Sequence, residues 1–247
     1  VLQQNVEFRQ GDTFLRSDRA TYQTNSALVT LTGSPAWKIK QGEGSSDSVS
    51  INPKTQQMHA AGNVAMKLIG SGLESLDLSV RQNGTNSLSR TNQQFVIRSD
   101  ELFSRRGSTI FLHAIRVTSP EQPNHELTCE VLAAFFAQPD NKLDELIAEE
   151  NVQIRQGDLR AVGSKVDYWV SKGFLEITGQ PEIHSPGRRY RGDKIILNRT
   201  DSTFRIIGGY KVVLDREGLA AASGPRGNPS GRNSQNGPAT TKAERAK

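Results

Sequence analysis

One feature constrains this chain more than any other: it repeats itself without a gap. Residues Asn5 to Leu68 align with Asn151 to Leu214 at a constant offset of 146, and along that register Arg9-Gln10-Gly11-Asp12, Tyr22, Thr32-Gly33, Pro35, Asp47, Asn52 and Gly62 recur as Arg155-Gln156-Gly157-Asp158, Tyr168, Thr178-Gly179, Pro181, Asp193, Asn198 and Gly208. Each copy is halved again, since Gly33 to Gly62 and Gly179 to Gly208 both span 29 residues, as do Asp18 to Asp47, Ser164 to Asp193 and Glu101 to Glu130. A unit of about 29 residues cannot bury its own apolar face, so the copies must share one core.

Inside the repeats every second residue is apolar, the period of a strand with one apolar face. Val6/Phe8, Tyr22, Val29/Leu31, Trp37/Ile39 and Val49/Ile51 carry the pattern in the first copy. Val152/Ile154, Val166/Tyr168, Leu175/Ile177, Ile183, Ile195/Leu197 and Phe204/Ile206 carry it in the second. Turn formers such as Gly11-Asp12, Gly33-Ser34-Pro35, Asn52-Pro53, Gly62-Asn63, Ser171-Lys172-Gly173 and Gly208-Gly209 separate the runs, which predicts short antiparallel strands joined by hairpins. The middle third is a divergent version of the same plan. Alternation through Val117, Leu127, Cys129, Val131 and Ala133, with Phe135 beyond, predicts strand over Glu126 to Ala137. Asp140 to Glu149 lies between strand and helix, with strand favoured.

The reading is an all-β body over residues 1–217, with a first copy at 1–68, a divergent middle at 69–150 and a second copy at 151–217. Residues from about Gln82 to Gln94 read as a long loop. From Gly218 to Lys247 large hydrophobes give way to Gly, Pro, Ser, Asn, Lys and Arg, the composition of a disordered basic tail. That tail accounts for most of the formal charge of +5, so the repeat body is close to neutral. No Lys/Arg cluster interleaved with aromatics is visible, and nucleic acid is not an expected partner. The chain begins at Val1 in mid-pattern, which reads as a mature or trimmed protein whose signal peptide or anchor lay upstream.

Catalytic and cofactor signatures are missing. The four histidines, at 59, 113, 125 and 184, have no partners at ligand spacing, no phosphate loop or nucleophile elbow is present, and neither an enzyme nor a bound cofactor or metal is expected. Cys129 reads as a small buried hydrophobe. Arg191-Gly192-Asp193 spells an adhesion tripeptide but aligns with Ser45-Ser46-Asp47, so it reads as repeat grammar.

Sheets with apolar inner faces can meet as a filled sandwich or stand apart as a trough for acyl chains, and periodicity does not separate the two. The order of motifs adds a resemblance. Ser17-Asp18-x-Ala20-x-Tyr22, Leu31-x-Gly33-x-Pro35, Ala61-Gly62-Asn63-Val64, Leu127 to Ala133, Asn141 to Val152 and Ser164 to Pro181 together resemble the OstA-like family of lipopolysaccharide-transport proteins, also called the lipopolysaccharide transport protein A family. The resemblance implies a β-jellyroll folded like a taco, periplasmic, holding the acyl chains of lipopolysaccharide or lipid A between its sheets. It also implies docking through edge strands to other transport components, or head to tail to further copies. The residues expected to line the groove are the alternating apolar ones named above in both copies, with Val117, Leu127, Val131 and Phe135 from the middle. A structural β-repeat scaffold with a filled core and no ligand is the alternative.

Overall fold

The structure is a computed structural model that describes residues 1–69, 94–201 and 203–214. The long loop expected from Gln82 and the tail from Gly218 therefore lie outside the described residues. Every regular element is a strand, and all belong to one 18-stranded antiparallel sheet. The first copy supplies β1 (Leu2–Gln10), β2 (Thr13–Gln23), β3 (Leu28–Thr32), β4 (Ala36–Ile39), β5 (Gly42–Ser45), β6 (Ser48–Asn52) and β7 (Gln57–Ile69). The middle supplies β8 (Gln94–Arg105), β9 (Ser108–Ser119), β10 (Gln122–Ala137) and the start of β11 (Lys142–Gln156). The second copy continues with β12 (Leu159–Trp169), β13 (Phe174–Thr178), β14 (Glu182–Ser185), β15 (Arg188–Arg191), β16 (Lys194–Asn198), β17 (Thr203–Ile207) and β18 (Lys211–Leu214). Both middle segments that could have been helical are strands.

The pairing explains the repeat. Strand β2 pairs β3 through its C-terminal half and β4 through its N-terminal half, so β3 and β4 are successive pieces of one rung. The same holds for β6 and β5 against β7, and for β13 and β14 against β12. Each rung is thus bent once, and the bends align across the sheet. On one side of that line lies a front half-sheet containing β3, β6, β13, β16 and β17; on the other lies a back half-sheet containing β4, β5, β14, β15 and β18. The register repeats at the sequence offset: Leu15↔Trp37 and Trp37↔Gly44 recur as Ala161↔Ile183 and Ile183↔Tyr190, and Leu31↔Val49 recurs as Ile177↔Ile195.

The turn formers at Gly33-Ser34-Pro35, Gly62-Asn63 and Gly208-Gly209 do not make hairpins, as the sequence suggested, but the bends. Gly33, Gly62, Gly179 and Gly208 have φ of 79°, 75°, 74° and 70°, in the left-handed region that a Cβ makes costly. Opposite each stands the residue that begins the 29-residue interval. A Cβ on Gly62 would lie 2.4 Å from Asp47 Oδ2, and one on Gly179 would lie 2.3 Å from Ser164 Cβ. The amides of Asp18, Asp47, Ser164 and Asp193 donate across the bend to the carbonyls of Gly33, Gly62, Gly179 and Ile207. Asp193 therefore belongs to this bend device, which is the role its alignment with Asp47 implied for the adhesion-like tripeptide. In the long middle strands the bend is made by irregularities instead: register shifts fall at Ser99–Asp100, Glu130 and Glu150-Asn151, and His113 and Ala114 have positive φ.

Folding at this line brings the apolar faces of the two half-sheets together. Leu15, Leu31, Val49, Ala60, Met66, Ile97, Leu102, Phe111, Leu132, Ala134, Ile177 and Ile195 are at 0% exposure within one continuous core. Burial of this apolar surface, worth about 25 cal/mol per Å² removed from water, is what holds the bent sheet closed.

Candidate functional site: the space between the half-sheets

The inner faces meet in one continuous apolar core between the two half-sheets. From the back half-sheet Trp37, Val117, Leu127, Val152, Ile154 and Ile183 point into it and are buried. From the front half-sheet Leu31, Val49, Ile51, Val166, Tyr168, Leu175, Ile177, Ile195 and Leu197 do the same. Val6, Phe8, Val29, Ile39, Phe204 and Ile206 pack against this core but are only partly covered. Val6, Phe8, Phe204 and Ile206 belong to the first and last rungs, where one side of the core has no further strand among the described residues.

Three of the expected residues fall elsewhere. Tyr22 is 56% exposed, because it sits at the tip of β2 next to the terminal rung. Val131 and Phe135 point out of the sheet. The register of β10 slips between Cys129 and Val131, so the extra residue Glu130 shifts the side-chain phase by one. Leu127 and Cys129 face inward before the slip; Leu132 and Ala134 face inward after it. Sequence alternation alone cannot register such a slip. The same phase change in β8 hid Leu102, and that in β9 hid Phe111, both at 0% exposure. A Glu or Asp interrupting an apolar alternation was the one available signal, and Glu130 carries it: its carboxylate accepts a hydrogen bond from the Ala114 amide across the bend at 3.2 Å.

The interior is apolar throughout. Cys129 is buried, and its thiol is pushed up to about 12 by desolvation and by the neighbouring Glu130 charge. Among the described residues no group of His, Cys, Asp and Glu is placed to hold a metal ion. Trp37 lies flat on the inner face, over Gly44, where a Cβ would stand 2.5 Å from its ring. Its Nε1 is buried with no hydrogen-bond partner among the described residues. Opposite the bend, the strand tips of the two half-sheets leave a cavity of about 390 Å³ lined by Gln10, Asp12, Lys40, Gln56, Arg105 and Asn141 among others. Ile39, Ile51 and Met58 form the floor of this cavity, and the polar groups its rim.

Comparison with known proteins bears on what such an apolar interior is for. Residues 45–203, well over half of the 247, match the family described as LptA/(LptD N-terminal domain) LPS transport protein. The chain belongs to this family. The β-jellyroll of the LptA/LptD N-terminal domain family is therefore the fold read here as a bent, two-sided antiparallel sheet. A solved structure also resembles this family member: the crystal structure of LptH, the LptA homologous periplasmic component of the conserved lipopolysaccharide transport device from Pseudomonas aeruginosa. That chain is 12% identical, with 49% of this chain and 94% of the LptH chain covered and a TM-score of 0.43. No curated protein matches the sequence.

Proposed function

We propose that this protein carries lipopolysaccharide across the periplasm, holding the acyl chains of lipid A between its two half-sheets and passing them along the channel from one end to the other. The observation that carries the reading is the continuous apolar interior between two half-sheets in a member of a lipopolysaccharide-transport family. Each methylene moved from water into such an interior gains about 0.8 kcal/mol, which offsets the apolar contacts between the half-sheets that the acyl chains replace. The lining is the set placed inward above, with Phe8, Val29, Ile39, Phe204 and Ile206 as the entry and exit residues. Trp37 Nε1 would meet an acyl ester carbonyl.

The ends are also where partners dock. Of the exposed large hydrophobes among the described residues, Val1 and Leu2 precede or begin β1, and Ile207, Tyr210, Val212, Val213 and Leu214 lie at or near β17 and β18. Among the described residues β1 pairs only β2, β17 only β16 and β18 only β15, so each end presents an edge with no described strand on it. An apolar, unprotected edge is an aggregation hazard unless another strand covers it. We assign these edges to β-augmentation by neighbouring transport components or by a second copy, head to tail.

A filled-core scaffold is the second reading, favoured by one observation: along the middle of the channel the facing side chains already touch one another at 0% exposure. Titration with lipopolysaccharide, followed by native mass spectrometry, separates the two. Transport predicts stoichiometric binding that disappears with lipid A stripped of its acyl chains and with Phe204→Asp in a folded protein. A folded protein that binds neither form supports the scaffold.

A further inference from the structure

The outer faces of the two half-sheets differ in charge, and the difference is invisible along the sequence because it comes one residue per strand. On the back half-sheet two adjacent cross-strand rows face outward. The first runs from Arg9 through Phe14, Lys38, Glu43, Lys67 and Val96 and ends through Glu126, Arg155, Arg160, His184 and Arg189. The second carries Arg16, Arg98, Arg116, Arg191 and Lys211. The only acids in these rows are Glu7, Glu43, Glu126 and Glu182. Two of the four are shared between cations, Glu126 by Arg116 and Arg155, and Glu182 by Arg189, Arg191 and His184, so positive charge is left over even where ion pairs form. The outer face of the front half-sheet is neutralised instead: Lys165 pairs with Glu149 and Asp167, and Lys194 with Glu176.

A sheet twists by some 20° per strand, so only a few neighbouring rungs can meet a flat partner at once. The rungs from β2 to β8 are the ones shaped for it. There the outer surface forms a shallow concavity of about 530 Å³ lined by the four cations Arg16, Lys38, Lys67 and Arg98 and the single acid Glu43, with small and apolar residues between the charges. Arg16, Lys38 and Arg98 have no ion pair among the described residues, and Lys67 reaches only Glu43, at 3.9 Å. Unpaired guanidinium groups are forks for phosphate oxygens. Of the two aromatics in its lining, Trp37 is buried with its ring on the inner face and Phe14 is stacked beneath Arg9 at 4.9 Å, which leaves no free platform for nucleobases.

We infer that this concave face docks on the surface of an anionic phospholipid bilayer, with Arg16, Lys38 and Arg98 taking lipid phosphates. The site lies on the opposite side of the sheet from the channel and does not depend on lipopolysaccharide entering that channel. The test is co-sedimentation of the full chain, its basic tail intact in every arm, with vesicles of phosphatidylcholine alone and with phosphatidylglycerol added. Binding is expected only to the anionic vesicles and is expected to weaken as salt is raised. The triple variant Arg16→Ser, Lys38→Thr, Arg98→Thr should bind about a hundredfold less, at about fivefold per cation near a charged surface. A front-face control, Arg19→Thr with Arg205→Thr, should bind as the parent does. Unchanged binding by the triple variant, or an equal loss in the control, would overturn the assignment. So would glycerol phosphate binding as tightly as the vesicles. Lipopolysaccharide titration of the triple variant should match the parent; a parallel loss would mean the face is part of the transport site and would overturn its independence.

Discussion

Gly62→Ala tests the bend that underlies the repeat, and its cost can be worked from the geometry. Gly62 has φ of 75°, where an alanine is penalised by about 1–2 kcal/mol. The new Cβ would stand 2.4 Å from Asp47 Oδ2 and 3.0 Å from Asp47 Cβ and Cγ, so the carboxylate must leave its rotamer at about 1 kcal/mol. The same rotation breaks the 2.8 Å bond that Asn63 Nδ2 donates to Asp47. Together these give about 2–3 kcal/mol, or a Tm lowered by about 4–12 °C in a chain of this size. The mechanism makes a second demand: Asp47→Ala removes the carboxylate that clashes, so the double variant should be less destabilised than the sum of the singles by about 1 kcal/mol. Thermal and urea unfolding of the four proteins measure both. A Gly62→Ala protein within 0.5 kcal/mol of the parent would refute the bend account, and strict additivity would refute the part assigned to Asp47.

The phase slip at Glu130 predicts opposite outcomes for adjacent residues: Leu132→Ala should cost about 2–5 kcal/mol and Val131→Ala about 1 kcal/mol or less, measured by urea denaturation, although alternation ranks Val131 as the core residue. Cys129 should stay unmodified by iodoacetamide at pH 8 in the native protein and react only on unfolding, since a buried thiol raised to about 12 holds almost no thiolate there. Burial works to raise the Glu182 carboxyl, but the hydrogen bond from Arg191 and the charges of His184, Arg191 and Arg189 outweigh it and hold it below the ordinary carboxylate range. A depressed folded value stabilises above the unfolded one and is lost as pH falls through the folded value, so thermal stability should drop below about pH 4.5, and Glu182→Gln should flatten that drop. At the ends, Ile207→Lys with Val213→Lys should abolish any concentration-dependent self-association seen by sedimentation velocity while leaving the circular dichroism spectrum unchanged.

Fold class, the strand identity of the middle segments and the 146-residue register were all legible in the amino acids, because alternation and turn residues are local signals. The meaning of the turn residues was not. A glycine with positive φ serves a hairpin and a bend equally well, and only the pairing of β3 and β4 to the same strand reveals that Gly33 is a bend. Alternation assigned the inner face correctly wherever a strand carries no irregularity, as at Leu175/Ile177 and Ile195/Leu197. It failed where an extra residue shifts the phase, which misplaced Val131 and Phe135 and hid Leu102, Phe111 and Leu132. The cationic outer face escaped for a related reason: Arg16, Lys38, Lys67 and Arg98 are scattered over many residues and meet only through the lateral pairing of strands. The near-neutral net charge of the body concealed how unevenly it is shared between the two outer faces.

The most direct test of the transport reading is site-specific photocrosslinking to lipopolysaccharide, with benzoylphenylalanine placed at phenylalanines so that the aromatic ring is kept and each variant is checked for folding by circular dichroism. Phe8, Phe111 and Phe204 face the channel, whereas Phe103 and Phe174 face outward. The account predicts crosslinks from the three inner positions, competed away by unlabelled lipopolysaccharide, and none from the outer two. Crosslinks of equal strength from both faces, or none from a folded protein saturated with ligand, would contradict it.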